Sequence, residues 1–491
     1  MLRPFALFAA LLAPLALPAC SSGAVDDGVV DVAYIGEEDG LYAEGLRLPD
    51  SGQHLRAAVA QGLVRSDAQG DVVPGIAERW IVTDDGASYI FRIREFDLPD
   101  GSRLTARAVR NALARAMAGL EGTSLGLDLA KIRDIRAMTG RVIEIRLHSP
   151  MPDLLQVLAQ PELGLELEAT PTGPMALTRD GETASLAALA PQLRGLPEQS
   201  DWDDLVREVR VTAMPARAAT EGFSDGIYDL VLGGRIADLP LADMGPLARG
   251  TIRIDGAIGL FGLDVLGEGA FLAERANREA LAQAIDRDTL MQAFNIGGWL
   301  PTTRIVPPAL APLPGAAVER WAGLTIDQRR ARASAIIAAW ESQTGSEASV
   351  SIALPQGPGA ARLFNELAQD LAAIGVAARR AEPGENGDLV LRDRVARYGN
   401  ARWFLNQFAC PVSPRVCSPD ADFLVGLAVD AANGAEEASY LAEAEATLLA
   451  ANRFIPLGAP VRWSLVRADV VGFTENPWAR HPLFALSRAP M

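Results

Sequence analysis

Between residues 86 and 120 the hydrophobic period changes, and this change limits the architectures open to the chain. "GASYIFRIREF" (86–96) alternates Tyr89, Phe91 and Ile93 against polar neighbours, the pattern of a half-buried strand. "SRLTARAVRNALARAMAGL" (102–120) then gathers Val109, Ala112, Leu113, Ala116 and Met117 on one helical face, with Thr105 placed as N-cap. The exchange recurs along the chain. "VVDVAYIG" (29–36) reads as a first strand, and "RVIEIRLHSP" (141–150) alternates until Pro150. "AIGLFGLDVLG" (257–267) is a buried strand followed by a helical stretch over 273–294, and then "PTTRIVPPALAPLPG" (301–315), a proline-rich loop. A helix over 327–342, the strand "SVSIALPQG" (349–357) and a helix over 359–376 repeat the order. A helix over 439–454 precedes a strand pair in 455–467. Strands alternating with helices define an α/β fold.

The 491 residues suffice for several folding units at about 100–200 residues each. Hydrophobic residues make up 49% and charged residues 22%, which supplies large cores. The net charge of −17 excludes nucleic acid as a partner, because phosphate binding needs clustered cations.

"MLRPFALFAALLAPLALPA" (1–19) has a cationic start at Arg3, an apolar run from Phe5 to Leu17 and a small residue, Ala19, at its end, the layout of a secretory signal. It is too short, and too interrupted by Pro14 and Pro18, for a spanning helix. Leu17-Pro18-Ala19-Cys20 resembles the bacterial lipobox, in which the cysteine is acylated and becomes the first residue; a polar tether (20–28) follows. The alternative is an ordinary cleaved signal with a chance cysteine. Export also bears on Cys410 and Cys417, which bracket "PVSPRV": an oxidising compartment favours a disulfide, and two buried thiols are the alternative. With three histidines (His54, His148 and His481) scattered, neither a metal site nor a histidine-based triad is indicated, and no cofactor is expected. Phosphate loops, nucleophile elbows and H-E-x-x-H pairs are missing from the sequence, so nothing marks an enzyme.

Residues 62–110 carry the most specific pattern: Gly62-Leu63, Gly70, Pro74, Ala77-Glu78, Trp80, Asp85-Gly86, Tyr89, Phe91, Ile93-Arg94, Asp100-Gly101, Leu104-Thr105-Ala106 and Val109. In this order they resemble the solute-binding proteins of bacterial ABC importers, in the dipeptide/oligopeptide/nickel-binding class. "PTGPM" (171–175), "ANREALAQAIDRDTL" (276–290), "RIVPP" (304–308) and "FIPL" (454–457) continue the resemblance downstream. Most of these residues read as packing and turn residues, with glycine supplying positive φ, so the signature identifies a fold better than a ligand.

The resemblance implies a periplasmic-binding-protein-like cleft fold of two lobes with a subdomain inserted in the first. Lobe I would comprise 29–58, 150–255 and 462–491, the insert 59–149, and lobe II 256–461. It implies an extracytoplasmic importer subunit that holds a peptide or similar small solute between hinged lobes and presents it to a permease and ATPase complex. The chain would be monomeric and periplasmic, anchored to the envelope by lipid on Cys20. An envelope lipoprotein of the same fold, acting as sensor, scaffold or chaperone without transport, is the alternative. Peptide-binding members place an aspartate against the ligand ammonium within a "W-x-x-D" stretch. Here the corresponding residues are Trp403 and Asn406, which lacks the charge, so Trp403, Asn406 and Glu37 are the expected cleft residues.

Overall fold

The computed structural model describes residues 28–95, 103–165, 167, 172–243, 245, 250–313 and 318–489. Cys20, the signal segment and Asp100-Gly101 lie outside the described residues.

Three large sheets organise the chain. The first has seven strands, in the order Ile252–Asp255, Arg462–Val466, Leu230–Arg235, Val29–Ile35, Glu208–Met214, Thr183–Ala188, Met175–Asp180. Val29–Ile35 runs parallel to both of its neighbours, while the outer pairs are antiparallel. It is covered on both faces: Val30, Val32 and Tyr34 enter one core and Ala33 another, which is why its sequence is a nearly unbroken apolar run. The second sheet has five strands, in the order Ala377–Arg380, Ser349–Ala353, Leu389–Val395, Gly259–Val265, Phe454–Gly458. The third has four, in the order Ala77–Val82, Ser88–Ile93, Val142–Leu147, Ile132–Ala137.

The third sheet and the helix Ala106–Gly119 carry the signature. Phe91 and Val109 are fully buried, and the Tyr89 hydroxyl donates a hydrogen bond to the Met151 carbonyl at 2.8 Å. The Thr105 hydroxyl accepts from the Ala108 amide at 3.1 Å and so starts the helix. Gly86 turns the hairpin at φ +67°, a conformation that costs a residue with a Cβ more than it costs glycine. Gly75 has no room for a Cβ either, which would lie 2.5 Å from the Gly62 carbonyl oxygen.

Two local features differ from the periodicity. The 273–294 stretch is a helix only over Arg275–Ala284; a short helical turn, Arg287–Leu290, follows an extended Ile285. Arg287 explains the break. Its buried guanidinium donates to the carbonyls of Ala282, Ile285 and Pro456, while the Asp286 amide donates to Asp370. These bonds use backbone groups that a continuous helix would have kept for itself. The strand pair in 455–467 is also not a hairpin. Phe454–Gly458 joins the five-stranded sheet and Arg462–Val466 the seven-stranded one.

The chain thus crosses between these two sheets at residues 256–258 and again at 459–461, side by side. Behind the second sheet, Glu445 of the helix Gly434–Ala451 is wholly buried and holds the "RIVPP" loop: it pairs with Arg304 and accepts the Ile305 and Val306 amides, each at 3.0 Å.

Candidate functional site

A cavity of about 340 Å³ opens where the seven- and five-stranded sheets meet the C-terminal tail. Its walls are residues at the ends of strands. Tyr34, Arg235 and Arg462 come from the first sheet, Asp393 and Arg394 from the second, and Trp478, Arg480 and His481 from the tail. Asp50 and His54 enter from the helix Asp50–Val59. Ligands of α/β folds bind in such crevices, beyond strand ends and between lobes. A second space of about 310 Å³ shares Arg235, Asp393 and Arg394 with the first, so the cleft continues as a groove.

Charge is concentrated here in an unusual sense. The chain carries −17, yet five arginines and three aspartates line the cavity. Three of the arginines have carboxylate partners. Arg235 meets Asp50 at 2.6 Å, Arg462 meets Asp393 at 2.7 Å, and Arg397 meets Glu162 at 2.6 Å. The Arg462–Asp393 pair joins the two sheets across the crossing. Burial alone would raise the Asp50 carboxyl, but Arg235 and Arg462 outweigh it and hold it below the ordinary carboxylate range. The third aspartate, Asp255, accepts the Asn476 amide at 2.9 Å and faces His481 Nε2 at 3.2 Å.

The other two arginines have no carboxylate partner among the described residues. Arg394 gives Nη1 to the Gln407 side-chain oxygen at 3.2 Å, and Arg480 gives Nη2 to the Gln53 side-chain oxygen at 3.3 Å. Burial, reinforced by neighbouring Arg397, lowers Arg480 to about 10. His54 is neutral at ordinary pH: burial takes it down to about 4. Its Nδ1–H donates to the Asp50 carbonyl at 2.7 Å and its Nε2 accepts the His481 amide at 3.3 Å, which fixes the tautomer.

Of the residues expected in the cleft, Trp403 lines the cavity. It sits on the short helix Ala401–Asn406, edge-on to Phe404, only 2% exposed, and its indole Nε1 has no hydrogen-bond partner. Asn406, on the same helix, turns away from the cavity. Its amide donates at 2.7 Å to Asp128, a wholly buried residue of the inserted region, which also accepts the Tyr398 hydroxyl at 3.0 Å. Glu37 is exposed, precedes the turn Glu38–Leu41, and is not part of the lining. Asp422, on the helix Pro419–Leu427 that follows the cysteine loop, accepts the Cys410 amide at 2.8 Å. Cys410 and Cys417 are joined in a disulfide seven residues apart.

The clustered arginines and Asp50 went unnoticed in the sequence. Each is a single charged residue on a separate segment. The one available signal was an arginine at the edge of an otherwise apolar strand, as in "LVLGGR" (230–235) and "VRWSLV" (461–466).

Comparison with known proteins gives a partial family match and a wider likeness of fold. Residues 71–176 match the family of bacterial extracellular solute-binding proteins, family 5, in its middle region. The probable deoxycholate-binding periplasmic protein YgiS of Escherichia coli is 33% identical over 129 residues, 21% of this chain and 23% of that protein. The oligopeptide-binding protein AliA of Streptococcus pneumoniae is 31% identical over 129 residues, 24% of this chain and 18% of that protein. These matches span under a quarter of either relative's length. The fold extends much further. The structure of Haemophilus influenzae OppA in complex with RPPGFSPFR aligns over 95% of this chain and 99% of its own, at TM-score 0.76 and 16% identity. The Escherichia coli murein tripeptide binding protein MppA aligns over 94% and 99%, at TM-score 0.76 and 17% identity. The chain therefore has the two-lobed α/β fold of the solute-binding proteins of ABC importers. YgiS, AliA and MppA are each named for what they bind. Among the described residues no helix is long and apolar enough to cross a membrane.

Proposed function

We propose that this chain is the extracytoplasmic solute-binding subunit of an ABC importer, capturing a peptide or similar small solute between hinged lobes and presenting it to a permease. The observation that carries the reading is the cavity at the two adjacent chain crossings. A solute there touches both sheets, so its binding energy favours the closed arrangement over the open one. Such capture needs no catalytic group or cofactor. We assign lobe I to 29–58, 150–255 and 462–491, the insert to 59–149 and lobe II to 256–461; the strand membership of the seven- and five-stranded sheets supports these limits.

Trp403 forms a wall of the solute site in this proposal, and Asn406 holds its helix against the insert through Asp128. The test is native mass spectrometry of the full chain purified from its own host. A small solute that leaves on mild denaturation is the expected result, and a cleft that is always empty overturns the reading.

The same proposal places the mature chain in the periplasm as a monomer, tethered by lipid on Cys20. Two or more acyl chains make such anchoring stable, whereas one does not. Cys20→Ser should move the protein from the membrane pellet to the soluble or unprocessed fraction. A variant that still pellets fully processed would refute the anchor.

A further inference from the structure

Where the chain enters its fold, a second cationic cavity shares no lining residue with the solute cleft. We propose that this site, built from Arg65, Arg194 and Arg488 around Phe484, docks the protein on the phosphate of an anionic phospholipid headgroup. The choice of a membrane rests on the reading that Cys20 is the lipid anchor.

The three arginines come from separate segments. Arg65 is on the strand Val64–Ser66, Arg194 ends the turn Pro191–Arg194, and the exposed Arg488 follows the turn Leu483–Leu486. The first two share one aromatic ring: their guanidinium carbons lie 5.7 and 4.9 Å from the centroid of Phe484. A cavity of about 330 Å³ opens beside that ring, with Arg65 and Arg488 in its walls. Arg194 Nε is buried and has no hydrogen-bond partner.

No carboxylate among the described residues pairs with any of the three. Asp67, in the same wall, gives one oxygen to the amides of Gln69 and Asp71 in its own turn, at 3.0 and 2.9 Å. Burial, then Arg65 and Arg94, lower Arg194 to about 10. Burial, Arg94 and Arg488 lower Arg65 in the same way, against Asp67. Like charges gathered in this way repel, and an arriving anion removes the repulsion. The guanidinium fork matches phosphate oxygens two at a time.

Position identifies the source of the phosphate. The Glu208 amide donates to the Gly28 carbonyl at 3.1 Å, and the next amide along, that of Arg207, donates to the Ser487 carbonyl at 2.7 Å. Val206 bridges to Arg488 itself. The cationic tail is thus separated from Gly28, the first described residue, by a single strand edge. Cys20 lies eight residues before Gly28, a span of at most about 29 Å when extended. An anchor on Cys20 therefore keeps this face within reach of headgroups. The net charge of −17 opposes approach to an anionic surface, so a local cationic site also selects which face turns to the lipid.

The experiment uses full-chain Cys20→Ser, which lacks acyl chains, sedimented with vesicles of phosphatidylcholine alone or of phosphatidylcholine and phosphatidylglycerol in equal parts. Phosphatidylglycerol should raise binding above that to the neutral vesicles, which account for any contribution from the apolar signal segment. Arg65→Gln and Arg488→Gln, each added to Cys20→Ser, should cut that gain about fivefold, with thermal unfolding as a folding check. Arg332→Gln removes the same charge from an exposed position on the helix Ile326–Thr344 and should leave the gain unchanged. No gain on phosphatidylglycerol, or equal losses in all three variants, would overturn the proposal. A rise in unfolding temperature with inorganic phosphate but no gain on vesicles would assign the site to a free phosphate compound and overturn the lipid. The anchor is judged apart: the parent, purified from its host's membranes, should pellet with neutral vesicles. A parent that stays in solution would remove the Cys20 reading, while the arginine comparison still decides the headgroup contact.

Discussion

Glu445→Ala lowers the free energy of unfolding by about 3–5 kcal/mol, the loss typical when one member of a buried charge pair is deleted. Glu445 is 0% exposed, and its carboxylate serves Arg304 and the amides of Ile305 and Val306 together. Deleting it leaves two buried backbone donors without their acceptor and strips Arg304 of its carboxylate. Glu445→Gln keeps an oxygen for the two amides and loses the charge, so its cost is smaller, about 1–2 kcal/mol. Urea unfolding of the three proteins measures the order. An alanine variant within about 1 kcal/mol of the parent would mean that the loop is held by its prolines and apolar contacts rather than by this carboxylate.

Asp128 makes the opposite kind of prediction, because its charge opposes folding. Burial raises its carboxyl from 3.8 to about 6, against the lowering effects of Asn406, Arg402 and Tyr398. A group whose folded value lies above its unfolded one adds stability that is complete below the unfolded value and lost as pH rises through the folded one. The parent should lose about 2–3 kcal/mol from this residue between pH 4 and pH 8, taking 1.36 kcal/mol per unit.

His54 titrates in the same range with the opposite sign, since burial lowers it to about 4 and acid therefore costs the fold. The clean quantity is the difference between the parent and Asp128→Asn at each pH, in which His54 cancels. The asparagine variant should gain on the parent by about 2–3 kcal/mol from pH 4 to pH 8. A difference that does not vary with pH would show that Asp128 stays charged in the folded protein.

The fold was legible because its signals are local. Phe91 and Tyr89 announce a strand by alternation, Thr105 starts the helix it precedes, and Gly86 turns where a hairpin must. Periodicity overran by a few residues at helix ends, the helix expected over 439–454 stopping at Ala451, and by more where a distant group intervened. The helix through Ile285 is cut by Arg287 reaching a carbonyl 169 residues away, and the final two strands part because each pairs with a sheet assembled elsewhere.

The cleft was far less legible. Trp403 lines it, yet Asn406, three positions on, spends its amide on a residue 278 positions distant, and no pattern in "WFLN" hints at that. Arg235, Arg394, Arg462 and Arg480 make a cationic pocket only after folding. In sequence they are scattered arginines in an acidic chain, indistinguishable from those that serve solubility.

The two crossings at 256–258 and 459–461 adjoin the cavity directly: Asp255 and Arg462 flank them and also line it. In a rotation about such a pivot, displacement grows with distance from the axis. Asp255 and Arg462 lie near the axis and would scarcely travel, whereas Arg394 would sweep with the second lobe. In the proposed capture the container would have a stationary wall and a moving one. Cargo can settle on the still face while the jaw is wide, and every ångström of its length beyond the pivot sets the angle at which the jaw stops. The shape shown to the membrane partner would then gauge the size of what is held.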